Sequence, residues 1–363
     1  MKAQAIRGTG GRILLTATAC GALLYAFLIF AYNPIQDQTT FDGAFVAVHA
    51  RWANATMTWE LNPAAGSNVT TTNGTSMPVA ISNAFATWNT TLLNGQLLTN
   101  LAIRQGSNTT LTDPNESDCQ NLISFVPSSS VNFPTGTIAF TEVATAVLLP
   151  GQTSPCGDMN STQGPVSFII SADTLFSPKM DFSTTTPPLP GDFDVQALAT
   201  HEFGHALGLD HSGIAHAVMY PFGDSGQGQQ RNLAVDDVIG IACIYPGTNF
   251  ATATGTISGK ITLTGNGIFA AHVVVVDANT GAAVVDGLTN TDGTYKLVGV
   301  PPGSYEVLAL PLAKDANSGV YTLDDFWGWT CGYGENSPPC CDSKQLTCTG
   351  QLQNPTSYTG KFF

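Results

Sequence analysis

The run His201-Glu202-Phe203-Gly204-His205-Ala206-Leu207-Gly208-Leu209-Asp210-His211 decides how this chain is read. Residues four apart share one face of an α-helix, so a helix here aims the rings of His201 and His205 at a single ion. Glu202 sits one step round that helix, within reach of a water on the ion without being a ligand. Gly208 takes positive φ at low steric cost, which lets the helix stop and the chain turn back so that His211 becomes the third ligand. Three neutral imidazoles are the donor set of a catalytic Zn²⁺, because a structural zinc takes a fourth protein ligand. The chain has only six histidines, and three stand in this register.

Ser212 follows the third histidine, and Ala217-Val218-Met219-Tyr220-Pro221 comes soon after. With these residues the chain resembles the metzincin metallopeptidases, specifically the matrixins. The resemblance implies endopeptide hydrolysis of protein or peptide substrates, with one catalytic zinc on His201, His205 and His211 and Glu202 as general base. It makes Met219 the apolar floor of a Met-turn beneath the ligands. It also implies that Val218, Tyr220, Pro221 and Phe222 line the pocket for the side chain after the scissile bond. Pro221 stands where astacins and serralysins place a tyrosine, so Tyr220 is not expected to bind metal.

The implied fold is an α+β metzincin catalytic domain, a mixed twisted sheet with long helices, over residues 51–247. Arg51-Trp52 with Met57 to Leu61 reads as an opening strand, and residues 79–88 repeat apolar side chains at helical spacing. Residues 121–125, 136–140 and 166–170 are β-rich runs. Ala172 to Phe176 resembles the matrixin segment leading towards the zinc helix, which is expected to open after Pro190-Gly191 with Asp192 or Asp194 accepting its free amides. Leu233 to Ile241 resembles the last matrixin helix, and its Asp236-Asp237 pair is read as an N-terminal cap rather than as chemistry. Residues 33–50 and 248–254 read as linkers. From 255 to 313, alternating runs at 255–263, 271–276 and 304–308 resemble an all-β carboxypeptidase regulatory-like, transthyretin-like sandwich. His272 on one of those apolar strands is read as structural rather than as a ligand.

A formal charge of −14 disfavours nucleic acid and anionic membrane surfaces, since no basic stripe exists to release counterions. Lys2, Arg7 and Arg12 precede an apolar run, Ile13 to Tyr32, that reads as an export signal within residues 1–32, with an uncleaved membrane tether through residues 13–32 as the alternative. A secreted or extracellular location follows. In that setting cysteines favour disulfides. Cys119 and Cys156 are the natural pair in the catalytic domain, Cys243 is a buried thiol on the last helix, and Cys331, Cys340, Cys341 and Cys348 cluster in a tail, 314–363, with a zinc knuckle as their alternative.

Two departures from the animal matrixin pattern matter. Only His49 precedes His201, so the second, structural zinc of those enzymes is not expected. The prodomain motif whose cysteine blocks the zinc is not found either, so latency by that route is not expected. Calcium is common in the family, but no Asp-rich loop here has a spacing that assigns a site. The rival function is a surface-binding or adhesion protein that keeps the metzincin fold with little turnover. A structural metal protein would instead recruit a fourth ligand, for which His216 is the nearby candidate. Oligomeric state is not legible.

Overall fold

Thr56–Leu61 alternates exposed and buried side chains, with Met57, Trp59 and Leu61 turned inward, as a half-buried strand must. In this computed structural model, which describes residues 2–6, 34–42, 44–157, 159–269, 271–290, 292–311 and 361–362, that strand lies between parallel neighbours Ala102–Gln105 and Leu122–Ser124. Parallel neighbours need a crossover, and the helix Met77–Asn89 (α1) provides it between the first two. Leu122–Ser124 pairs in turn with Val166–Phe176, which is antiparallel to the strand Thr137–Leu148. The backbone of Lys2–Ile6 runs parallel to the outer side of that last strand. Ile13 to Tyr32, Cys20 and the Cys331–Cys348 cluster lie outside the described residues.

α1 buries Met77, Ala80, Ile81, Ala84, Phe85 and Trp88, a stripe at three- and four-residue spacing. The stripe packs on the sheet and on a second helix, Val195–Ala206 (α2). Trp59 stacks on Phe85 at 4.5 Å between ring centroids, and Phe85 on Phe203 at 3.6 Å, so strand, α1 and α2 share one aromatic column. The third helix, Val235–Ile244 (α3), is divided between two cores. Ile241 and Ile244 belong to the first; Val238, Ile239 and Ala242 pack with Val273, Val275, Val285 and Leu297 in the second.

Apart from α3 the second core is mostly strand. His272–Asp277 runs between antiparallel Ala283–Leu288 and Tyr305–Leu310, while Gly255–Lys260 pairs with Thr294–Val300. Between the two cores, residues 248–254 include a single helical turn, Phe250–Ala253.

Two expectations need correction and one is extended. Gln36–Phe41 and Ala44–Arg51 pair as a hairpin inside the stretch expected as a linker. Asp42 at φ 49 followed by Gly43 is a tight-turn signal between β-branched runs. The runs at 136–140 and 166–170 are only parts of strands of 12 and 11 residues, in which Ala172 to Phe176 continues the ladder. The helices are short, at 13, 12 and 10 residues. Cys119 and Cys156 are bonded, with Cα atoms 5.5 Å apart. Cys243 is half-buried and packs against both cores. Among the described residues no helix is long and apolar enough to cross a membrane.

Candidate active site

Of the two cap candidates, Asp194 is the one that starts α2, accepting the amide of Ala197 at 2.8 Å. Arg231 forks onto the same carboxylate at 2.7 and 2.9 Å, which fixes the cap in place. At the far end Gly208 adopts φ +101°, and a Cβ there would sit 2.7 Å from the carbonyl oxygen of Ala50, so only glycine closes this turn. The terminal carbonyls do not go unpaired. Trp52 Nε1 donates to Ala206 at 2.8 Å, the Tyr245 hydroxyl to Leu207 at 2.9 Å, and the amide of Leu209 to Gly204 at 2.9 Å.

This framing brings His201, His205 and His211 together, all buried, with their candidate ligand atoms within 4.8 Å of one another. His201 Nδ1 lies 2.6 Å from the carbonyl of Val218, and His205 Nδ1 lies 2.9 Å from that of Leu209. With Nδ1–H donating to those carbonyls, each Nε2 keeps its lone pair, and the two Nε2 atoms stand 3.1 Å apart. Two lone pairs aimed at each other repel unless a cation lies between them. Burial lowers His201 to about 4, and burial with the neighbouring His201 and His211 rings lowers His205 well below its ordinary value, so both are neutral as metal ligands must be. Three converging neutral imidazoles fit Zn²⁺. Among the described residues they form the one such cluster, and His216 is exposed and outside it.

Glu202 is fully buried beside them. The Thr141 hydroxyl lies 2.9 Å from Oε2 and 3.0 Å from the Glu202 carbonyl oxygen, while Oε1 has no hydrogen-bond partner among the described residues. Burial raises this carboxyl to about 8, against the opposing effect of the Thr141 bond. A cation on the three imidazoles would favour the carboxylate again. Thr141 belongs to the strand Thr137–Leu148, so a strand distant in sequence orients the acid.

Met219 lies beneath α2, where a Cβ on Gly204 would overlap its Sδ. Asp237 holds the Met-turn from α3, accepting the amides of Val218 at 2.8 Å and Met219 at 3.0 Å, and it also accepts Ala234 at 2.7 Å as a helix cap. The capping expected of the acidic pair is therefore present at Asp237 together with a second task. The amide of Ser212 donates to Met219 at 2.8 Å, closing the loop that carries His211. Val218 and Pro221 are buried, while Tyr220 and Phe222 are half-buried with ring centroids 5.6 Å apart. Thr141, Gly204 and the Met-turn contacts of Asp237 escaped the reading of the sequence. Of these, only Gly204 carried a local signal, as a glycine inside a helix that should prefer alanine.

Comparison with known proteins agrees with this geometry. A model of the matrixin peptidase family matches residues 148–246. The chain is 43% identical over 61 residues to Metalloendoproteinase 1 of Glycine max, covering 17% of this chain and 20% of that protein. It is 49% identical over 47 residues to human Matrilysin, covering 13% and 18%. Over 56 residues it is 45% identical to Metalloendoproteinase 4-MMP of Arabidopsis thaliana, covering 15% and 16%. The chain thus spans a fifth or less of the length of these relatives. The matched segment begins at 148, later than the resemblance traced from Arg51, and it contains all three histidines, Glu202 and Met219. Residues 148–246 are a matrixin peptidase domain.

Proposed function

We propose that the chain is an exported zinc endopeptidase that hydrolyses extracellular proteins or peptides, with a C-terminal carboxypeptidase regulatory-like sandwich as accessory. The observation that carries this reading is the convergence of three buried imidazoles beside a carboxylate oxygen, Glu202 Oε1, that has no hydrogen-bond partner among the described residues. A structural metal has no chemical use for such a base, and a binding protein has none either.

Zinc held by His201, His205 and His211 supplies Lewis acidity, which lowers the pKa of water towards about 7 and polarises a carbonyl. Glu202 takes a proton from the attacking water as its oxygen bonds to the scissile carbon. The same carboxyl then delivers that proton to the leaving amine nitrogen as the C–N bond breaks. Thr141 keeps Oε2 engaged, so Oε1 is the oxygen turned to this work. Val218, Tyr220, Pro221 and Phe222 line the pocket for the side chain after the cleaved bond. The Cys119–Cys156 disulfide supports an oxidising, extracellular setting.

The test is Glu202→Gln in protein whose zinc content is measured. Cleavage of an unfolded protein substrate falls by about 10²- to 10⁴-fold with zinc retained. Near-wild-type cleavage would refute the assignment. Zinc at one per chain with no cleavage of a broad peptide library would favour the adhesion reading.

A further inference from the structure

The third ligand is the one without a helix to hold it. His201 and His205 share α2, whereas His211 lies on the loop after Gly208, where regular backbone pairing is sparse. What supports that loop comes partly from beyond the matrixin domain. His272 Nε2 and Asp286 Oδ2 are 2.6 Å apart, with side chains only 6% and 3% exposed. The pair abuts Gly213: a Cβ there would overlap Asp286 Oδ2 and lie 2.6 Å from His272 Nε2. The backbone amide of Asp286 donates to Asp236 Oδ1 at 3.3 Å, and the Ser212 hydroxyl hydrogen-bonds the same Asp236 side chain. Asp236 and Asp237 are neighbours at the start of α3, and Asp237 grips the Met-turn amides. A cavity of about 10 Å³ is lined by His211, Ser212, Met219, Asp236 and Asp237.

We infer that His272 and Asp286 are positioning residues for zinc binding and peptide hydrolysis: seated on the Ser212–Gly213 corner, they hold His211 at the metal. The β-rich region after residue 254 is therefore part of the catalytic apparatus rather than a separate appendage. The inference rests on the proposed zinc endopeptidase reading. Its physical basis is asymmetry of support, because ligands on a rigid element hold their geometry and a loop ligand needs packing and hydrogen bonds from elsewhere. A hydrogen-bonded pair this deeply buried leaves an unsatisfied polar group when one side is removed, so removing either partner disturbs whatever it touches. What it touches is Gly213, two residues from His211, while the Asp286 amide reaches the same Asp236 side chain that Ser212 bonds.

The experiment uses the full chain and follows two readouts: zinc release to a chromophoric chelator, and kcat and KM on a peptide substrate. His272→Ala is expected to speed zinc release by about 10- to 100-fold and to lower kcat with KM within about twofold. His272→Gln, which keeps an N–H directed at Asp286, is expected to restore most of both. Gly213→Ala is expected to reproduce the loss, and to add less on top of His272→Ala than alone, because the His272 ring atoms it meets are then gone and Asp286 is released from its partner. If His272→Ala does not fold, Asp286→Asn carries the same comparison in a side chain of the same shape. Zinc release and kcat unchanged in these variants, with only the melting temperature lowered, would overturn the inference and leave the pair as a fastener between two cores. Wild-type protein that binds no zinc, or binds it and cleaves nothing, would overturn the endopeptidase reading itself and the inference with it.

Discussion

Two buried polar clusters adjoin each other in this molecule, and they are assembled in opposite ways. His201, Glu202, His205 and His211 come from eleven consecutive residues, and helix pitch alone places the first three. Asp236, Asp237, His272 and Asp286 come from a helix and two strands, with partners as far as 50 positions apart. Helix pitch brings the first set together, whereas the second meets only after two cores have docked. The difference teaches that a catalytic constellation readable from spacing can depend on a scaffold that is not.

The sharpest test of the local cluster is His205→Ala, which removes the middle one of the three proposed ligands. Zinc content is expected to fall towards zero and cleavage to background. Far-UV circular dichroism should be unchanged, because α2 is held by Asp194, Trp52 and Tyr245 rather than by the metal. Full zinc retention would mean that the three rings are not the binding set.

Thr141→Val tests how local the first cluster really is. The hydroxyl reaches Glu202 from a strand 61 positions away. Loss of a hydrogen bond to a charged group corresponds to about 1.5–3 kcal/mol, so kcat is expected to drop by roughly 10- to 100-fold with KM little changed. An unchanged kcat would show that burial alone orients Glu202, and that the first cluster is as self-sufficient as its spacing suggests.

That dependence marks where the sequence stops being legible. The proposed ligands, the proposed base and Met219 follow from residue types at fixed offsets, and Asp194 is one of two cap candidates. Strand existence was readable from β-branched runs, but strand length was not: Thr137–Leu148 extends as far as its partner Val166–Phe176 can pair, which no five-residue pattern encodes. The hairpin at residues 36–51 carried its signal in Asp42-Gly43, yet a short segment between an apolar leader and a catalytic domain reads more readily as a linker. His272 was read as structural from its apolar strand. Its partnership with Asp286 follows from cross-strand register, with His272 opposite Leu288 and Val274 opposite Asp286, and register is set by tertiary pairing.

Gly204→Ala probes the seam between helix and Met-turn. In an exposed helix interior alanine is the better residue by about 0.5–1 kcal/mol. Here the new Cβ would overlap Met219 Sδ and lie 3.0 Å from Trp88 Cζ2, so overpacking should win and destabilise by about 1–3 kcal/mol. Urea denaturation measures the sign. A stabilised variant would mean that Met219 moves aside freely and is no fixed floor.

The smallest expected effect separates the clusters by charge. Burial lowers His201 from 6.5 to about 4 and raises Asp237 from 3.8 to about 6. In chelator-stripped protein the unfolded chain binds more protons at His201 between pH 4 and 6.5, so that residue makes stability rise with pH and fail on acidification. At Asp237 the native state binds more protons between pH 3.8 and 6, so its contribution is fully present below 3.8 and is lost as pH rises through 6. The two slopes oppose each other over the same window. Asp237→Asn removes one of them, so the variant's melting temperature should climb relative to wild type as pH goes from 4 to 6. Calorimetric profiles that stay parallel across that interval would mean Asp237 remains ionised throughout, its three amide donors outweighing burial.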